Sequence, residues 1–427
     1  MSRKNTVSPK NIVVIGLDEV NHALLRQVPD ADRYRFHGLL TLEELQKGEI
    51  PIVDLLDKAR KVLTSFDDTI DAIVGYWDFP VSTMLPLLCR EFGVRAASLE
   101  SVLKCEHKYW SRLEQRKVIT EHPEFALVEL DDDKPPLRFP FWLKPVKSFS
   151  SDLAFEVTDD AEFRSAVAEI ADGIGRVGEP FDYLLDQADL PPEIADAGGQ
   201  VALAERALSG ARAAVEGYSL DGDVEIYAVL DSLVYPQVSS FLRHQYPSQL
   251  PEEVQRRLVD VSKRVMKGVG FDPGTFSIEY FCDPETGEVS LLEINPRHSQ
   301  SHAEMFALVN GFPNHHYMLK VALGEDPRRP LDGGPYDLAA RWYLRRFDDG
   351  LLTRGPTTEE IKSIEDRIGG VSVYRRAADG SRLSELSGQD SYSYELAEIV
   401  VGADGPAQLR EKYDRCVAAL RFDFEGG

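Results

Sequence analysis

The stretch Phe276–Arg297, FSIEYFCDPETGEVSLLEINPR, decides how the rest of the chain is read. Two runs rich in apolar residues, Phe276–Cys282 and Val289–Asn295, flank Asp283-Pro284-Glu285-Thr286-Gly287, which is the pattern of an antiparallel hairpin. A loop centred on Thr286 sets Glu279 opposite Glu293 and Asp283 opposite Val289. Opposed residues share a face, and the two-residue period of a strand adds Asn295 to it. Ile278, Tyr280, Leu292 and Ile294 then take the other face. Like charges directly opposed cost up to about 1 kcal/mol, so something cationic is expected between the glutamates. Two carboxylates and an amide oxygen are hard ligands that suit Mg²⁺ carrying phosphates. The same residues also read as a surface hairpin with two solvated glutamates, and the spacing alone leaves both readings open.

Upstream, Asn11–Gly16 (NIVVIG) and Ala72–Tyr76 (AIVGY) are short β-branched runs, read as buried parallel strands. Met84, Leu85, Leu88 and Phe92 recur at helical spacing before Gly93, so residues 1–105 read as an open α/β unit. Lys104–Lys117 reads as one basic amphipathic helix carrying Lys108, and Phe139–Val146 as a strand carrying Lys144. A buried lysine in a strand needs an anionic partner. Leu153–Val157 reads as a further strand, and Ala171–Gly199 as a loop or insertion with a short helix. Val201–Leu208, Ala213–Tyr218 and Val224–Leu230 read as strands, the last two joined by an Asp221-Gly222-Asp223 turn. Phe241–Tyr246 reads as a polar loop. Glu252–Val269 is a helix with Val254, Leu258, Val261, Val265 and Val269 on one face and Gly270 at its end. Leu338–Phe347, Val371–Arg375 and Ser393–Val401 read as strands, and Gln408–Phe422 as a last helix.

Composition narrows the classes. The 427 residues carry 48 Lys plus Arg against 72 Asp plus Glu, a formal charge of −24. Such a balance argues against binding to nucleic acid or to an anionic membrane. Apolar residues are 43% and charged residues 28%, as expected of a globular protein. Cys89, Cys105, Cys282 and Cys416 form no C-x-x-C, which suits a reducing cytoplasm rather than a disulfide framework. No apolar run reaches about 18 residues, so no spanning helix is expected. Asp18 and Glu19 follow the first apolar run at once, unlike a signal peptide.

The ordered set Lys108, Lys144, Glu205, Glu279 and Glu293-Ile294-Asn295-Pro296-Arg297 resembles the nucleotide and metal signature of the ATP-grasp superfamily. The resemblance covers nearly the whole chain and is of the carboxylate–amine ligase type, with a three-part order like that of biotin carboxylase. It implies an α/β and α+β chain: an N-terminal open α/β domain (1–105) and a two-lobed ATP-grasp domain (106–330). The small lobe would span about 138–210 and the large lobe about 211–330, followed by a C-terminal α/β cap (331–427).

Carried over by position, Lys108 and Lys144 would hold the ATP phosphates. Glu205 would meet the adenine amino group, with Ala207 and Leu208 as hinge backbone. Glu279, Glu293 and Asn295 would hold two Mg²⁺ ions, with Mn²⁺ as a substitute. Arg297 would meet the transferred phosphoryl group or the substrate carboxylate, and Arg243 would help form the substrate pocket. The phosphate lid Val146–Asp152 (VKSFSSD) lacks the usual glycines, so Lys147, Ser150 and Ser151 would supply its contacts. Seven residues after Glu205, Arg212 stands where relatives often carry an acidic ribose ligand, and no ribose contact is assigned; Glu216 is not taken as its replacement. His298 and His302 are expected as pocket lining or helix caps.

The resemblance implies an ADP-forming ligase that joins a small carboxylate, amino acid-like, to an amine through an acyl phosphate. Its partners would be those two small molecules, and relatives suggest a homodimer. A biotin carboxylase-like carboxylase and a catalytically silent nucleotide-binding protein are the alternatives.

Overall fold

The computed structural model describes residues 8–148, 152–236, 238–329, 333–386, 389 and 393–425. Three parallel strands open it, in the spatial order Tyr34–Leu39, Lys10–Ile15, Ala72–Val74. The central strand buries Asn11 through Ile15 because helices cover both of its faces. Tyr34–Leu39 was not expected as a strand. It is an edge strand whose Arg35 and Gly38 are exposed, so its pattern carries little apolar signal. Helix Val81–Phe92 stops at Gly93, which adopts φ 68°.

The expected single helix Lys104–Lys117 is two, Leu99–Glu106 and Lys108–Gln115. His107 breaks it with extended backbone and uses its ring Nδ1 to accept from Trp110 N (3.2 Å). Lys108 thereby becomes the first residue of a new helix rather than a mid-helix residue.

A second sheet is antiparallel, in the order Phe125–Val128, Ala202–Arg206, Phe141–Pro145, Phe155–Val157. Its first strand lies before the expected start of the small lobe at about 138. The expected loop Ala171–Gly199 is mostly helical: Asp160–Gly173, Gly175–Leu185 and Pro192–Ala197. Phe163, Ala166 and Ile170 of the first pack on this sheet, whereas Val177, Phe181, Leu184 and Leu185 of the second join the core of the N-terminal unit. Glycine and proline density suggested a loop, but tertiary burial of these apolar residues outweighs weak helix propensity.

The largest sheet has eight antiparallel strands: Val289–Asn295, Gly274–Cys282, Ala211–Leu220, Asp223–Val234, Phe241–Tyr246, Leu338–Arg346, Tyr394–Ala403 and Val371–Arg375. The turn between Ala211–Leu220 and Asp223–Val234 has φ 53° at Asp221 and 87° at Gly222, the two left-handed residues of a type I′ hairpin. The polar stretch Phe241–Tyr246, expected as a loop, is a strand paired on both sides. Through it the C-terminal strands continue the large sheet instead of building a sheet of their own.

Helix Glu252–Val269 has the expected bounds. Its Leu258, Val261 and Val265 are fully buried against Ile278, Tyr280 and Ile294 of the hairpin. It is therefore the platform under the glutamates. Leu258→Ala should lower stability by about 2–5 kcal/mol, the usual cost of a cavity in a packed core. Lys267→Ala on the exposed face should stay within about 0.5 kcal/mol. Denaturant titration of both variants against wild type checks this.

Candidate functional site

Glu279 lies directly opposite Glu293, and Ser277 opposite Asn295. Beyond Glu279 the register shifts by one residue. Tyr280 pairs with Leu291 and Cys282 with Val289, so Asp283 does not face Val289 as expected. Leu291, not Leu292, fills the core. Asp283 instead holds the turn, accepting from Glu285 N (2.8 Å) and Thr286 N (3.2 Å). A bulge of this kind re-aims the local backbone. Here the Leu291 and Leu292 carbonyls accept from Arg112 Nη1 (3.0 Å) and Nη2 (2.7 Å).

Arg112 sits one helical turn after Lys108, and its Nε also donates to Glu205 Oε1 at 2.5 Å. Lys144, on the neighbouring strand, reaches Glu205 Oε2 at 2.7 Å. Lys108 donates to Ser148 O (2.9 Å) and pairs with Glu293 at 3.1 Å. Lys147 pairs with Glu106 (2.7 Å) and approaches Asp78 (3.7 Å). Asp78 in turn receives Arg297 Nη2 at 3.0 Å. Asn295 Nδ2 lies 3.4 Å from Glu279 Oε1. Five cations, Lys108, Arg112, Lys144, Lys147 and Arg297, are thus gathered with five carboxylates, Asp78, Glu106, Glu205, Glu279 and Glu293.

The protonation equilibria follow from this packing. Burial pushes the Glu279 carboxyl up, and Glu293 adds to the rise. Burial also pushes Glu293 up, but Lys108 and Lys144 outweigh it and hold that carboxyl below its ordinary value. At Glu205, Arg112 and Lys144 overcome burial and bring it down to about 2. Burial lowers Lys108, whereas Glu106 and Asp78 overcome burial at Lys147 and raise it. The two opposed glutamates are therefore unequal: one is neutralised by lysine and the other is left short of positive charge.

The structure brings Lys108, Lys144, Lys147, Glu205, Glu279, Glu293, Asn295 and Arg297 together. Ala207 and Leu208 lie half-buried at the exit of strand Ala202–Arg206. Ser150 and Ser151 lie outside the described residues. Arg243 is not brought in. It stands over the Trp342 ring (5.2 Å), on the face of the sheet turned to the last helix. Strand alternation sends its neighbour His244 to the other face, where Ser232 Oγ lies 2.9 Å from its Nδ1.

Arg212 stacks over Phe241 and Phe281. Glu216 is fully buried and accepts from Tyr227 (2.7 Å) and Asn314 (2.9 Å), with His302 Nδ1 at 2.6 Å. His298 contacts His315 (2.8 Å) and Thr275 (3.2 Å). Neither His298 nor His302 caps a helix with its side chain, contrary to one expectation.

Asp78, Glu106 and Arg112 were not anticipated. Asp78 follows the carboxyl end of a parallel strand, where open α/β sheets place ligand contacts, so a signal existed. Arg112 shares a helix face with Lys108 at i+4. Nothing local marks Glu106. Among the described residues no three His, Cys, Asp or Glu side chains form a metal cage, so a cation here would rest on the hairpin carboxylates, Asn295 and ligand oxygens.

Known proteins resemble this chain in sequence and in fold. A family model described as ATP-grasp domain matches residues 137–303. The carbamoyl phosphate synthase large chain of Xylella fastidiosa is 34% identical over 92 residues, 21% of this chain and 8% of that protein. The same enzyme's large chain from Halomonas eurihalina is 33% identical over 128 residues, 29% of this chain and 11% of that protein. The matches thus span about a tenth of these relatives' length.

The L-amino acid ligase of Bacillus licheniformis has a TM-score of 0.74 at 16% identity, over 99% of this chain and 100% of that one. The biotin carboxylase domain dimer of Hydrogenobacter thermophilus 2-oxoglutarate carboxylase, solved with magnesium ADP and bicarbonate, has a TM-score of 0.63 at 13% identity, over 98% and 91%. Residues 137–303 thus match an ATP-grasp domain, and the fold of the whole chain is that of these solved structures.

Proposed function

We propose that the chain is an ADP-forming ligase that phosphorylates a small, amino acid-like carboxylate and joins it to an amine. The observation that carries this reading is the convergence of three buried lysines with an opposed glutamate pair where the two antiparallel sheets meet. In this reading Lys108, Lys144 and Lys147 exchange their carboxylate partners for ATP phosphates. Glu205 meets the adenine amino group, beside the Ala207 and Leu208 backbone. Arg297 holds the acid with the planar, two-pronged geometry that lysine lacks.

A magnesium site fits the donors: Glu279 and Glu293 are hard oxygen ligands, opposed and half-buried, and Asn295 adds an amide. These three would hold two ions, with Mn²⁺ accepted by the same oxygens. When bound, the metal neutralises charge on the transferred phosphoryl group. Arg112 keeps Glu205 ionised and fixed, and Arg297 orients the carboxylate oxygen toward the phosphorus.

The proposed division is 1–105, 106–330 and 331–427, with lobes at about 138–210 and 211–330. The proposal further includes a homodimer, a cytoplasmic location and no nucleic-acid or membrane partner. No helix among the described residues is long and apolar enough to cross a membrane.

Incubation with ATP, Mg²⁺ and hydroxylamine across a panel of acids tests the chemistry. The expected result is a hydroxamate with equimolar ADP. AMP and pyrophosphate, or bound ATP never consumed with any acid, would sink it. Glu293→Gln should lose turnover at least a hundredfold while keeping its fold by circular dichroism.

Arg297→Lys should lose most catalytic efficiency with ATP binding nearly unchanged. Arg243→Ala, on the far face of the sheet, should leave both Michaelis constants within twofold. Steady-state kinetics with the substrate pair found above checks both.

Stability should respond oppositely at Glu279. Its carboxyl is raised in the folded state, so its ionised form costs stability as pH climbs from the ordinary glutamate value through the raised one. Metal-free Glu279→Gln should therefore be more stable than wild type at pH 8, by about 1 kcal/mol. The gain should vanish below the ordinary glutamate value. Thermal melts at the two pH values decide.

A further inference from the structure

Behind Arg297 lies a cavity of about 50 Å³ between the N-terminal parallel strands and the base of the glutamate hairpin. A buried water needs about 15 Å³ on this measure, so the space admits roughly three or four such groups. Leu85, Val102, Phe271 and Met318 give it apolar walls. Among the described residues its charged lining residues are Arg95, paired outside it with Asp221, and Arg297, whose Nη2 meets Asp78; no carboxylate lines it. Two buried polar atoms of its lining residues, Ser82 Oγ and Arg297 Nε, have no hydrogen-bond partner. An apolar chamber that excludes anionic side chains and is headed by unspent donors fits an anion with a small apolar body.

We propose that this cavity receives the apolar body of the acid substrate, a short-chain carboxylate of about four to six carbons. Arg297 and Ser82 meet its carboxylate. The inference rests on the ligase reading for the substrate's role, while the binding it requires is independent of turnover. Size selection comes from the walls, where the small side chains of Ala97 and Ala322 leave space that a larger one would fill.

Calorimetric titration of the full chain in MgADP with acetate, propionate, isobutyrate and isovalerate tests it. Affinity should rise about fourfold per added carbon, the value of one buried methylene. Ala97→Leu and Ala322→Leu should each flatten that rise while leaving MgADP affinity unchanged; the second variant serves if the first does not fold. Equal binding of acetate and isovalerate, or an undiminished rise in both variants, would overturn the assignment.

The hydroxamate assay on the same acids separates the two claims. Isovalerate bound in the cavity without ADP release upholds the cavity and removes the ligase reading. Hydroxamate from succinate but from no apolar acid upholds the ligase and overturns the cavity.

Discussion

A buried guanidinium must place its N–H donors, and Arg112 makes four hydrogen bonds to three separate parts of the chain. Nε goes to Glu205 of the small sheet, Nη2 to the Leu292 carbonyl of the hairpin, and Nη1 to the Leu291 carbonyl and to Gln115 of its own helix. Leaving such a group half satisfied would cost several kcal/mol. The bulge in the hairpin, the break at His107 and the pairing of Glu205 are therefore mutually dependent. The bulge points two successive carbonyls the same way, the break starts a helix whose first turn carries Lys108 beside Arg112, and Glu205 closes the ring. The spacing between the lysines and the opposed glutamates follows from this junction.

The charge distribution is economical. In a chain with a large negative excess, Lys108, Lys144, Lys147 and Arg297 are gathered at one place and are each held by a carboxylate. Such pairs keep lysines ionised in a buried setting, where an isolated ammonium would lose its proton. Glu279 is the exception, since neighbouring cations do not offset its burial. That imbalance is what a divalent cation would relieve.

The loop after the hairpin is fixed from below. Glu216 gathers Tyr227, Asn314, His302 and the Ser299 backbone, and His298 joins His315, which leads to Asn21 of the N-terminal unit (3.0 Å). Arg297 is carried between these two buried networks. Its position is thus tied both to the large sheet and to the first α/β unit, across whose boundary the apolar cavity lies.

Much of this was legible in the sequence where a local rule has one solution. Helix Glu252–Val269 declares itself by apolar period and a terminal glycine. Asp221-Gly222 declares a type I′ turn, whereas Glu279 meets Glu293 only because a one-residue bulge corrects the register that the loop sets. Glu205 carries no local signal and is reached, with Lys108 and Lys144, only through the resemblance to ATP-grasp proteins. What the sequence could not carry depends on partners far along the chain. Phe241–Tyr246 is a strand because neighbours bond it on both sides, and that same pairing turns Arg243 away from the site. The one-residue bulge that exchanges Leu292 for Leu291 costs no change in pattern, yet Arg112 lies 179 residues away from the carbonyl it meets. Period and turn chemistry act over a few residues and determined the elements. Satisfaction of buried charge acts across the whole molecule, and only the tertiary structure decided which cation faces which anion.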